Sequence, residues 1–187
     1  QSTIKEMNFL NELLAKAKPK KKKEFTELTA YAKQLDGIEQ LEKWDGSYYS
    51  EKLKQERFNL DDEALKPYFK LENVLNGAFE VAQRLFDLHF IEVQNIDKYH
   101  EDVQTFEVKD DKGNLVALFY ADFFPRKGKR NGAWMTSYKS QWVKDGKNER
   151  PHVSIVCNFT PPTPSKPSLL TFNEVTTLFH EFGHALH

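Results

Sequence analysis

The residues best equipped for chemistry stand near the end of the chain: His180, Glu181 and His184, in the run His-Glu-Phe-Gly-His. On an α-helix, residues four apart lie on one face, about 6 Å apart along the axis. Two imidazoles so placed can reach a single zinc ion at roughly 2.0–2.1 Å each. Glu181, one step round the helix, can approach the activated water without being a ligand. That is the role of a general base in metal-assisted peptide hydrolysis by an H-E-x-x-H site. A catalytic zinc takes three protein ligands and keeps one position open. The chain stops three residues after His184, so the expectation is half of an active site, with the third ligand supplied elsewhere. The competing reading is a helix whose histidines are capping or core residues and whose Glu181 is an exposed surface glutamate. Chance supplies an H-E-x-x-H in on the order of one chain in a hundred.

The element that must present these residues is a helix, and its signals are local. Thr171 and Glu174 have the spacing of a capping box, after a loop spanning Pro161 to Ser168. Phe172, Val175, Phe179, Phe182 and Leu186 recur at helical spacing as an apolar stripe. The histidines fall off that stripe, on a face shared with Thr176 and Thr177. Gly183 costs about 1 kcal/mol relative to alanine inside a helix, so it reads as room for a close approach. His187 lies about 10 Å along the axis from His180 and cannot share an ion with it on a straight helix. It is read as structural or as an outer neighbour of the site.

The run from Leu169 to His187 resembles the active-site helix of the thimet oligopeptidase family of zinc metallopeptidases, and within it most closely the bacterial peptidyl-dipeptidases (dipeptidyl carboxypeptidases). Phe119 to Met135, with Asp122, Arg126, Lys129 and Gly132-Ala133-Trp134, resembles another segment of that family. So do Val156 to Pro162, and Trp44-Asp45 with Tyr48-Tyr49. The resemblance covers about Trp44 to the last residue. It implies that His180 and His184 ligate one Zn2+ per full-length enzyme and that Glu181 activates water. It implies short peptide substrates and removal of C-terminal dipeptides, with cleavage inside oligopeptides as the alternative. The third ligand, a glutamate on a later helix, and the tyrosine and histidine donors to the transition state fall outside this chain. The expectation is therefore a fragment that is inactive alone. A non-catalytic helical binding or scaffold domain is the reading from a different class.

Composition sets the frame. The 187 residues are 39% hydrophobic and 29% charged with a net charge of −1, enough apolar content for a core and no bias toward nucleic acid or acidic lipid. The single cysteine, Cys157, excludes an internal disulfide and reads as a small buried hydrophobe on a strand. The apolar stretch from Leu115 to Phe124 is interrupted by Asp122 and is far short of the roughly 20 residues a membrane span needs. The expectation is no nucleic-acid or membrane partner and a cytoplasmic setting, with the periplasm open. Oligomeric state is left open.

Fold class reads as α+β and mainly helical, a zincin-like fragment with a small mixed or antiparallel sheet beside the metal helix. Residues 1–88 form the helical region and 89–187 the sheet and zinc-helix region. A stripe through Ile4, Phe9, Leu10, Leu13 and Leu14 opens the first helix, which Pro19 and the run Lys20–Lys23 punctuate. A second runs from Phe25 to Leu35, closed by Gly37. Asp45 is read as the N-cap of a helix through Tyr49 and Leu53. A further helix covers about Leu71 to Leu88, with Val74, Leu75, Phe79, Val81, Ala82, Leu85 and Phe86 inward. Residues 103–108 and 115–120 flank a hairpin turn at Asp110 to Gly113, and 133–138 and 153–159 supply more strands. Lys18 and Lys20–Lys23 read as a solvated helix segment answered by Glu24 and Glu27. Arg126, Lys127, Lys129 and Arg130 either hold a substrate carboxylate or form a charged hairpin rim, and the rim is favoured. Gly128 and Gly132 read as turn residues; Trp134, His89, His100 and His152 read as structural.

Overall fold

The computed structural model describes residues 2–59 and 62–187, and the chain separates into two compact units, Gln1–Asp61 and Asp62–His187. In the first unit, α1 runs over Thr3–Asp36 and α2 over Asp45–Phe58. The break expected at Pro19 is absent: α1 runs through it as one helix of 34 residues. A helix-interior proline removes one hydrogen bond and costs about 3 kcal/mol. Good helix formers on both sides, with ion pairs Lys16–Glu12 at 2.7 Å and Lys20–Glu24 at 3.7 Å, offset part of that. Gly37 closes α1 at φ 71°, its N–H donating to the Lys33 carbonyl at 3.0 Å. The two helices pack through Ala32, Leu41 and Tyr49, and the Tyr49 hydroxyl donates to Asp36 at 2.9 Å. Glu27 pairs with Arg57. Asp45 is the first residue of α2 and not its cap; Trp44 precedes it without a side-chain cap bond, while Asp45 Oδ2 accepts the Glu42 N–H at 2.9 Å. Ile4, Phe9, Leu10, Leu13 and Leu14 are exposed.

The second unit opens with a short helix, α3 (Asp62–Leu65), and a 3₁₀ turn at Lys66–Tyr68, then α4 (Leu71–Phe86). Strands β1 (His89–Glu92), β2 (Gln104–Lys109), β3 (Leu115–Asp122), β4 (Trp134–Lys139) and β7 (His152–Val156) make one sheet in the order β1-β2-β3-β7-β4. The β3/β7 pair is parallel and the other three are antiparallel, so the α+β expectation holds and the sheet is mixed. Strands β5 (Trp142–Lys144) and β6 (Lys147–Glu149) form a separate hairpin that the sequence reading missed. Its turn is Asp145-Gly146, with φ 53° and 75°, the backbone that a two-residue hairpin loop demands.

The last helix, α5 (Phe172–Leu186), and α4 cover one face of the sheet. Leu71, Val74, Leu75, Ala78 and Ala82 of α4 meet Phe106, Val108, Phe119, Ala121 and Ile155 of the strands and Leu178 and Phe182 of α5. Phe79 stacks on Phe90 at 4.2 Å and lies 5.8 Å from Phe182. Each fully buried side chain of this size contributes roughly 1.5–3 kcal/mol. Thus α4, within the stretch read as a helical region, packs with the sheet. Its inward side is narrower than the periodicity suggested, because Val81, Leu85 and Phe86 are exposed. Among the described residues no helix is long and apolar enough to cross a membrane.

Candidate active site

α5 begins with the expected capping box. Glu174 N–H donates to Thr171 Oγ1 at 3.1 Å, and Thr171 N–H donates to Glu174 Oε2 at 2.8 Å. The other carboxylate oxygen of Glu174 accepts from the Thr160 N–H at 2.9 Å and hydroxyl at 3.2 Å, so one side chain fixes both the helix start and the loop that follows β7. The buried side of the helix is centred on Leu178 and Phe182, with Val175, Ala185 and Leu186 at its margins. Phe172 and Phe179, assigned to the stripe from spacing, are exposed.

The three motif residues fall along the flank of α5 that carries Thr177, a helix packed beside β4 and β7. His180 and His184 are exposed, and their Nε2 atoms stand 3.1 Å apart with ring centroids at 4.7 Å. Two nitrogens bound to one tetrahedral zinc at roughly 2.0–2.1 Å stand about 3.3 Å apart. The pair fits that requirement as it stands. Glu181 is only 9% exposed, and among the described residues its carboxylate takes part in no hydrogen bond or ion pair. It lies near Cys157, whose thiol is pushed up to about 12, by burial first and by this carboxylate second. Cys157 is fully buried, the small hydrophobe expected, but it lies one residue past the end of β7 and not on the strand. Among the described residues no group of three His, Cys, Asp or Glu side chains converges as a metal site. A Cβ added at Gly183 would meet nothing within 4 Å, so nothing described here requires its bare backbone. His187 follows the helix as its exposed C-cap, its N–H donating to the Gly183 carbonyl at 3.3 Å.

Most of the basic cluster turns out to be structural. Asp122, 1% exposed, receives both guanidinium nitrogens of Arg126 at 2.8 and 2.9 Å, Lys129 Nζ at 2.8 Å and the Tyr99 hydroxyl at 3.0 Å. Lys129 also donates to the Phe124 carbonyl at 2.7 Å. Burial pushes the Asp122 carboxyl up, but the bonds from Arg126, Lys129 and Tyr99 outweigh it and hold the group below its ordinary value. Arg126 and Lys129 are thus committed to a buried anion, a role that neither a carboxylate clamp nor a hairpin rim describes. Arg130 lies over the Trp134 ring at 4.4 Å, and Lys127 is exposed. The sequence reading did not single out Asp122 and Tyr99 as members of this network. The i,i+4 spacing of Asp122 and Arg126 was a signal for half of it. Away from α5, His89 pairs with Asp111 at 2.8 Å and His100 Nδ1 accepts the Asp102 N–H at 3.2 Å.

Relatives add to this geometry. The chain is 43% identical to "Oligopeptidase A" of Escherichia coli over 182 residues, 97% of this chain and 27% of that protein. It is 40% identical to the "Dipeptidyl carboxypeptidase" of the same organism over 97% of this chain and 26% of that protein. An Arabidopsis thaliana protein, "Probable cytosolic oligopeptidase A", is 39% identical over 86% of the chain. The chain therefore spans about a quarter of the length of the relatives it matches. With the model of one family covering residues 2–187, the chain belongs to peptidase family M3.

Proposed function

We propose that the protein is a zinc-dependent peptidase of short peptides in which His180 and His184 hold the metal and Glu181 moves the proton. The observation that carries this reading is the pair of Nε2 atoms 3.1 Å apart on the helix flank beside Glu181. His180 and His184 would hold the zinc, which would supply Lewis acidity for a carbonyl and lower the pKa of a bound water toward neutrality. Glu181 takes a proton from the attacking water at its carboxylate and delivers it to the leaving amine nitrogen as the C–N bond breaks. General acid–base transfer of this kind is worth about 10²–10⁴-fold. The third ligand expected from the family resemblance, a glutamate on a later helix, would complete a site of one zinc per full-length enzyme. Strand β4 is an edge of the sheet beside α5, and its unpaired side suits an extended peptide added as a further strand. We propose a cytoplasmic setting, with the periplasm as the alternative; the name of one Arabidopsis relative, "Probable cytosolic oligopeptidase A", supports it.

Two modes of cleavage compete. Removal of C-terminal dipeptides is supported by the motif resemblance and by the match to the dipeptidyl carboxypeptidase. It needs a cation for the free carboxylate, and Arg126 and Lys129 are occupied by Asp122. Cleavage within oligopeptides is the second reading, supported by that commitment and by the match to oligopeptidase A. The test uses the full-length protein with one peptide as its free acid and as its amide, with and without a chelator. Chelator-sensitive dipeptide release from the acid alone establishes the first mode, and equal cleavage of both establishes the second. No chelator-sensitive cleavage of either returns the protein to the class of binding or scaffold domains.

A further inference from the structure

A cavity of about 240 Å³ lies beside the motif, lined by Gly132, Ala133, Asn158, Phe159, Glu174 and Thr177. Ligand pockets run to roughly 300–1,000 Å³, so this one has room for a single side chain. Its position is set by the helix. Thr177 precedes His180 by three residues and Glu181 by four, about 4.5 and 6 Å along the axis on the same flank. An extended peptide advances about 3.3 Å per residue, so a residue next to the scissile bond can reach the cavity. Gly132 and Ala133 of the lining lead directly into edge strand β4.

The chemistry of the lining is equally specific. Thr177 Oγ1 donates to the Asn173 carbonyl at 2.9 Å, leaving only its lone pairs for the cavity. Asn158 Nδ2 is spent on the carbonyls of Arg130 and Gly132 at 3.0 and 2.8 Å, leaving Oδ1 as an acceptor. Glu174 brings a carboxylate whose two oxygens are both engaged, and no basic side chain lines the space. We infer that this cavity is the subsite for the side chain of one residue flanking the scissile bond, with Thr177 setting its size. It admits apolar or donor-bearing side chains and rejects acidic ones. The inference rests on the peptidase reading above.

The test uses the full-length protein and peptides that differ only in carrying Gly, Ala, Leu, Gln or Glu at each of the two residues flanking the cut. The wild type should disfavour Glu at one of those positions. Thr177→Leu, which fills the cavity with a residue that suits a helix, should lower kcat/KM for Leu and Gln relative to Gly there by roughly tenfold or more, and not at the other position. Thr177→Val, nearly the same size, should keep the Leu-to-Gly ratio and lower the Gln-to-Leu ratio, because it removes the lone pairs of Thr177 Oγ1. Dissociation constants of the same peptides with chelated, metal-free protein should follow the same order. Unchanged ratios at both positions, or an equal loss for every peptide in an enzyme still sensitive to chelator, overturn the subsite. A wild type with no chelator-sensitive cleavage overturns the peptidase reading and the subsite with it.

Discussion

Glu181 shows how one residue's surroundings can be tuned by position alone. It stands where α5 turns from the core toward solvent, 9% exposed and unpaired among the described residues. Glu181→Gln in the full-length enzyme keeps the shape and the histidines but cannot take a proton. We expect retained zinc, read by elemental analysis, with turnover lower by about 10²–10⁴-fold. Asp122 is the opposite case, an anion buried and fully partnered. Asp122→Asn leaves Arg126 and Lys129 without a counter-charge, a loss of about 3–5 kcal/mol in denaturant unfolding. Because the folded carboxyl is held below its ordinary value near 3.8, the stabilisation is present above that pH and is lost as pH falls through the lower folded value. The gap between wild type and variant should therefore close in acid. The histidine spacing and the capping box were legible in sequence because each is fixed within one helical turn. The Asp122 network was not, since Tyr99 enters it from 23 residues away and the cations looked free.

At the scale of elements, α5 owes its start to Thr171 and Glu174. Thr171→Ala should cost about 0.5–2 kcal/mol, measured by thermal unfolding and accompanied by faster amide exchange in the first turn. For α1, Pro19→Ala should restore one hydrogen bond to the Ala15 carbonyl and stabilise the helix by up to about 3 kcal/mol, read as increased helical circular dichroism at elevated temperature. Sequence reading placed a break at Pro19 because a proline's local penalty is plain while the support of its neighbours is spread over many residues. It missed β1, a four-residue strand directly after α4, because so short a run carries no period of its own. It also passed over the Asp145-Gly146 turn between two short polar strands. On α5 it chose Phe172 and Phe179 for the core where Leu178 sits, because two sets of apolar residues share the helical period and packing against the sheet decides between them.

For the molecule as a whole, the described residues bring two imidazoles together and add no third metal-binding side chain to them. On the proposed reading, in which the third ligand stands on a later helix, residues 1–187 alone should bind zinc more weakly than the full-length protein and hydrolyse no peptide, which titration with a competing chelator and a peptide assay would check. The mixed sheet gives the site its setting, with β7 held between parallel β3 and antiparallel β4. Glu174 then ties the loop leaving that sheet to the first turn of α5. A helix that begins one residue early or late turns every later side chain by about 100° about its axis. Such a slip would swing both imidazoles off their flank and drive Glu181 either inward or out into water. A single carboxylate gripping Thr160 and Thr171 together thus acts as an angular index for the helix, setting which way the chemistry six to ten residues downstream must face.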